Sequence, residues 1–156
     1  MGGWTYSKAM HGVVSTAAGR TKLIDSCVKL MKDYSVAFNG LDIDLEYPCL
    51  PNDKSCGDGI TPTSNDREMF ALFLEELRSK LPSNIPLTLA TGADPKKADA
   101  LDFPRIDKLV DSYNIMSYDF TSGSWGDVYT GHQTNVFSNP ADPQENRKTW
   151  SAAYAS

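Results

Sequence analysis

Between Asn39 and Pro48, polar and apolar residues alternate: Asp42, Asp44 and Glu46 share one parity, and Leu41, Ile43 and Leu45 the other. A period of two is that of a β-strand, whose successive side chains point to opposite faces. Elsewhere the period lengthens. Leu23, Ile24, Cys27, Val28 and Met31 recur at helical spacing and predict an amphipathic helix over 21–34, with Thr21 as its N-cap. Phe70, Phe73, Leu74, Leu77 and Leu81 predict another, opened by Asn65-x-x-Glu68 in the manner of a capping box and ended by Pro82. Residues 86–91 predict a short strand, 92–99 a turn-rich connection and 104–110 a shorter helix built on Ile106, Leu109 and Val110. Residues 112–119 predict a strand with Asn114, Met116 and Tyr118 on one face, and the region from 143 to the end a helix. At the N-terminus, Gly2 and Gly3 mark a bend or a close backbone approach. Strands alternating with helices at this spacing imply βαβ units and a parallel sheet.

Composition narrows the choice of function. The chain has 156 residues, 40% of them hydrophobic, enough for a sizeable core in one domain or part of one. Its net charge is −5, and no cluster of Lys and Arg supplies the footprint that nucleic-acid binding needs. There is no run of 18 apolar residues, and residues 1–20 have neither the basic nor the apolar region of a signal peptide, so no membrane span or leader is expected in this chain. Of the three cysteines, Cys49 and Cys56 flank a polar loop that a disulfide would close in an oxidising compartment. Cys27 falls on the apolar side of its helix and reads as a small buried hydrophobe. No cysteine or histidine spacing fits a metal site, and no cofactor is expected.

The acidic row is where chemistry concentrates. Same-face residues on a strand lie about 6.5 Å apart, so Asp42, Asp44 and Glu46 feel one another's charge. In a parallel α/β sheet, reactive groups collect at the carboxyl ends of strands, where Glu46 falls, with Asp42 and Asp44 progressively deeper. Like charges held together cannot all ionise, so one proton is shared and one carboxyl stays protonated near neutral pH, as a general acid requires; Glu46 is the candidate. The alternation alone equally describes a solvated strand face or a site for a hard cation such as Ca²⁺ or Mg²⁺. His11 and His132 stand in no nucleophile or metal pattern, which leaves Ser/His and Cys/His catalysis without support.

The stretch Asn39-Gly40-Leu41-Asp42-Ile43-Asp44-Leu45-Glu46-Tyr47-Pro48 resembles the signature of glycoside hydrolase family 18, the chitinases. Tyr113-Asn114-Ile115-Met116-Ser117-Tyr118-Asp119-Phe120 resembles the second core motif of that family, Gly2-Gly3-Trp4 the end of its third strand, and Gly123-Ser124-Trp125 with Thr130-Gly131-His132 its loop after strand six. The resemblance implies an α/β fold, a (β/α)8 TIM barrel represented in part, from the end of strand three through the helix after strand six; residues 1–156 are then a partial catalytic domain. It implies a retaining mechanism in which the substrate's N-acetyl group is the nucleophile. Glu46 would be the general acid, Asp44 would hold the acetamido group, and Asp42 would share a proton behind it. Tyr118 and Asp119 would position the sugar, Met116 would shape the pocket or pack as interior, and Trp4 and Trp125 would stack on sugar rings or belong to the core.

The partner so implied is chitin or chito-oligosaccharides, met by an extracellular protein that is monomeric when complete. A chitin-binding lectin on the same fold, and an endo-β-N-acetylglucosaminidase acting on glycoproteins, are the alternatives; lectins of the family typically lose the acid, which Glu46 retains. Asn39 stands where the signature commonly has Asp, but its parity is that of the apolar residues. A whole barrel takes about 250 residues, so the isolated chain is expected to show little activity and poor stability.

Overall fold

The computed structural model describes residues 1–51, 53, 56, 59–123 and 126–155. Its centre is a parallel sheet of β1 (Leu41–Ile43), β2 (Leu87–Gly92) and β3 (Ser112–Met116) in that order. The register sets Asp42 beside Thr88 and Thr88 beside Ser112, with Ala90 beside Asn114 and Gly92 beside Met116. In a parallel ladder, alternate residues address opposite neighbours. Leu41 N–H accordingly donates to the Pro86 carbonyl at 2.9 Å on the β2 side, whereas Asp44 N–H donates to the Met1 carbonyl at 2.8 Å. The Asp44 carbonyl in turn accepts from Gly3 N–H at 2.5 Å. Gly2 thus forms a parallel bridge with Asp44, a strand fragment on the far edge of β1.

One face of this sheet carries the core. Ile43 and Leu45 from the β1 strip and Leu87 and Leu89 from β2 pack under Phe70, Phe73, Leu74 and Leu77 of α3 (Asp66–Lys80) and Ile24 of α2 (Ala17–Asp33). Arg20 of α2, nearly fully buried, donates from Nε and Nη2 to Glu76 of α3 and from Nη1 to the Val14 carbonyl, pinning the helices to each other. Cys27 is buried and reduced, as its helical parity predicts.

Several boundaries differ from the periodicity. A helix, α1 (Ser7–Val14), precedes the predicted one; its apolar stripe is too thin to announce it, Val14 being its only buried apolar residue. α2 begins four residues before Thr21, because Thr16 is the cap, its hydroxyl accepting from Gly19 N–H at 3.1 Å. At α3 the Asn65 side chain makes no cap; the Asp66 carboxylate accepts instead from Thr63 N–H at 3.1 Å and from the Thr63 hydroxyl at 2.5 Å. The turn-rich connection holds a short helix, α4 (Pro95–Asp99), and the next, α5 (Phe103–Ile106), is briefer than predicted.

Beyond 143 the predicted helix is replaced by a 3-10 turn at Glu145–Arg147 and by α6 (Ala152–Ala155). This segment is organised by a buried cation and not by an apolar stripe. Arg147, 1% exposed, donates from Nε and Nη2 to Asp142 Oδ1 at 3.0 Å and from Nη1 to the Tyr129 carbonyl and the Thr121 hydroxyl at 3.1 Å.

Candidate active site

The site grows from the end of β1. Ile43, Leu45 and Tyr47 are buried toward the helices, which turns Asp42, Asp44 and Glu46 to the opposite face. Register brings Thr88, Ala90 and Gly92 of β2 and Ser112, Asn114 and Met116 of β3 onto that same face. The β2 residues are small, so a hollow forms over the middle strand. Glu46 and Met116 border a cavity of about 60 Å³ there with Trp4, Gly92, Lys97 and Leu101. Beyond Glu46 the chain turns through a cis Tyr47–Pro48 bond into the loop closed by the Cys49–Cys56 disulfide, whose Cα atoms are 5.7 Å apart.

Glu46 is half-buried, and its carboxyl is held above the usual range. Burial is the largest cause and the Asp44 charge the next; the Trp4 backbone N–H bonded to the carboxylate and the Lys97 ammonium pull the other way, and Asp119 adds a smaller upward push. Asp44 is also half-buried, and its Oδ1 is shielded from solvent without a hydrogen-bond partner among the described residues. Tyr118 joins the same field: burial first, then Asp44, Glu46 and Asp119, raise its hydroxyl's pKa. Asp119 has a left-handed backbone, φ 60°, and its Oδ1 accepts from Gln133 Nε2 at 2.6 Å. Glu46 and Asp44 after β1, and Met116, Tyr118 and Asp119 at and after β3, therefore converge at the carboxyl ends of the two strands that flank β2.

Asp42, further back along the strand, is exposed in this chain, where no element among the described residues covers the face from which it projects. Its Oδ1 is engaged across the sheet, accepting from the Thr88 hydroxyl and from Asn114 Nδ2, the latter at 3.0 Å. Trp4 lines the cavity and is 49% exposed in this chain. Trp125 lies outside the described residues. His132 is exposed on the following loop, and Asn39 is exposed just before β1.

Reasoning from periodicity passed over Thr88, Lys97, Gln133 and Ser7. Thr88 and Gln133 lie far in sequence from the acids that they bind, and only the parallel register or the loop's return path brings them there. Among the described residues, no group of three or more His, Cys, Asp and Glu side chains is arranged to hold a metal ion.

The chain is similar to known proteins in sequence and in fold. The chain is 34% identical over 152 residues to Chitinase 1 of Aphanocladium album, an alignment covering 92% of this chain and 32% of that protein. It is also 34% identical over 149 residues to Chitinase A1 of Niallia circulans, covering 90% of this chain and 20% of that protein. Among solved structures, the chitinase ChiA74 from Bacillus thuringiensis superposes with a TM-score of 0.84 at 28% identity, over 99% of this chain and 24% of that one. The chain thus spans a third or less of the length of these relatives, and its parallel strands are part of a (β/α)8 barrel. With the family model for glycosyl hydrolases family 18 matching residues 1–156 from end to end, the chain belongs to that family.

Proposed function

We propose that this chain is part of the catalytic domain of a chitinase, which in its complete form hydrolyses β-1,4 bonds between N-acetylglucosamine units of chitin or chito-oligosaccharides. The observation that carries the reading is the pairing of a carboxyl whose pKa its surroundings raise, Glu46, with a buried carboxylate oxygen that has no partner among the described residues, Asp44 Oδ1. A buried acceptor without a donor is costly. An acetamido N–H is a donor of the right kind to satisfy it.

The chemistry follows from those two groups. Glu46 gives its proton to the glycosidic oxygen as the bond from that oxygen to the anomeric carbon breaks. The carbonyl oxygen of the N-acetyl group on the same sugar forms the new bond to the anomeric carbon, giving an oxazolinium ion. Asp44 accepts the acetamido N–H and offsets the positive charge that develops on the ring. Glu46, now a carboxylate, takes a proton from a water that attacks the same carbon from the side the leaving group vacated; the bond from that carbon to the acetamido oxygen breaks, the N-acetyl group is restored and configuration is retained. Asp42, fixed by Thr88 and Asn114, lies behind Asp44 on the same face of the strip. Tyr118 and Asp119 orient the acetamido and hydroxyl groups, Met116 bounds the pocket, and Trp4 offers an exposed aromatic face to the apolar side of a pyranose.

An extracellular setting fits this substrate, and the Cys49–Cys56 disulfide fits an oxidising compartment. The test is Glu46→Gln in a complete barrel carrying this chain, assayed on a fluorogenic chito-oligosaccharide. Turnover should fall by at least about a thousandfold while oligosaccharide binding by calorimetry persists. Turnover within tenfold of the parent would remove Glu46 from the acid role.

A further inference from the structure

Ser7 is a fully buried polar residue that the chemistry above does not use. It opens α1, directly after the 3-10 turn Trp4–Tyr6, and its hydroxyl faces away from solvent toward the junction of the N-terminal strand fragment and the acidic row. The hydroxyl makes two bonds. It donates to the Gly3 carbonyl at 3.1 Å and accepts from Glu46 N–H at 3.2 Å. The Gly3 carbonyl belongs to the same peptide unit as Trp4 N–H, and that N–H is the backbone donor to the Glu46 carboxylate.

We propose that Ser7 is a positioning residue for Glu46: its hydroxyl closes a one-way hydrogen-bond circuit running from Glu46 N–H through Ser7 to the Gly3 carbonyl, across the Gly3–Trp4 peptide, and back to the Glu46 carboxylate. Every donor in the circuit points in the same sense, so each bond polarises the next. One hydroxyl fixes both ends of the residue, its main chain and its carboxylate. Gly3 supplies the required backbone, φ 91° and ψ 164°, a region that only glycine adopts without strain. The peptide plane at Gly3–Trp4 is held through the Gly3 carbonyl by Tyr6 N–H of the 3-10 turn and, from inside the protein, by the Ser7 hydroxyl, each at 3.1 Å.

Without the hydroxyl, Glu46 N–H loses its partner and the Gly3 carbonyl keeps only Tyr6 N–H at 3.1 Å, so the Gly3–Trp4 peptide holds its N–H on the carboxylate less firmly. Losing a donor to the charged form favours the proton. The other groups facing Glu46 stay in place: Asp44 beside it on the strand, Lys97 from α4, and Tyr118 and Asp119 beyond β3. The acid role of Glu46 rests on the chitinase reading; the circuit itself does not.

The experiment uses a complete barrel carrying this chain and compares the parent with Ser7→Ala and Ser7→Cys. The Glu46 carboxyl is titrated by carbon NMR, and kcat and KM are followed against pH on a fluorogenic chito-oligosaccharide. Ser7→Ala should raise the carboxyl midpoint and the basic limb of kcat together, by about half a unit to one unit, and lower kcat about tenfold with KM within about twofold. Ser7→Cys, close in volume and a weak donor, should move both in the same direction by less. A carboxyl midpoint that does not move in Ser7→Ala overturns the proposal, whatever happens to the melting temperature, and so does a larger movement in Ser7→Cys. Absence of turnover in the parent would defeat the chitinase reading, and the NMR titration would still decide the role of Ser7.

Discussion

A Cβ placed on Gly2 would lie 2.1 Å from the carbonyl oxygen of Asp44. The N-terminal strand fragment is therefore seated against the acidic row by main-chain contact that admits no side chain, at a residue whose φ of 119° disfavours one in any case. Gly3, at φ 91°, has more room, its nearest neighbour being Asp44 Oδ2 at 3.8 Å. Gly2→Ala should cost at least about 3 kcal/mol and Gly3→Ala about 1–2 kcal/mol. Denaturant unfolding of the two variants measures the difference; equal costs would show that the bridge to Asp44 yields easily.

The raised carboxyl of Glu46 also makes a statement about stability. Its folded pKa exceeds its unfolded value, so the folded state binds the proton more tightly. The resulting stabilisation is fully present below the unfolded carboxylate pKa and is lost as pH rises through the folded one. Glu46→Gln should therefore match the parent at acidic pH and become the more stable protein as pH climbs through that window. Melting temperatures across pH 4 to 8 test this; a variant less stable at neutral pH would contradict the sign.

Closure of the loop after β1 is a separate contribution. The Cys49–Cys56 bridge spans a sequence separation of seven, for which the loss of unfolded-state freedom corresponds to about 2–3 kcal/mol. The bridge leads off two residues beyond Tyr47, whose ring meets Phe70 at 5.7 Å between centroids and His11 at 5.2 Å. Cys49→Ser with Cys56→Ser should lower stability by roughly that amount and slacken the wall of the cavity beside Glu46. Unfolding curves for the double variant and the oxidised parent measure the loss, and superimposable curves would show that the loop is held by packing alone.

The sequence disclosed the parts of the fold whose signal is local. The two-residue period of β1 and the apolar stripe of α3 stand where the pattern puts them, and the strand predicted over 86–91 is displaced by one residue to Leu87–Gly92, because each buries a face whose residues are neighbours in the chain. α1 escaped because it buries almost no apolar side chain, and the region after 143 misled because Arg147, not a stripe, orders it. The same distinction governs the site. Glu46 and Asp44 announce themselves by alternation, and Met116, Tyr118 and Asp119 by the likeness of their motif to a known family. Thr88, Asn114 and Ser7 reach the acids only through sheet register and the turn at Trp4, which no local pattern encodes. The exposure of Asp42 was equally beyond periodicity, since parity assigns a face and says nothing about what covers it.

The central claim is that the substrate's own acetamido group does the work of a nucleophile between Glu46 and Asp44. The most direct measurement compares kcat/KM of a complete barrel carrying this chain on an N-acetylglucosamine pentamer and on the same oligomer with every acetyl group removed. The account predicts rapid cleavage of the first and, on the second, a rate lower by at least about a thousandfold, the amine having no carbonyl oxygen to offer. Comparable cleavage of both would contradict it.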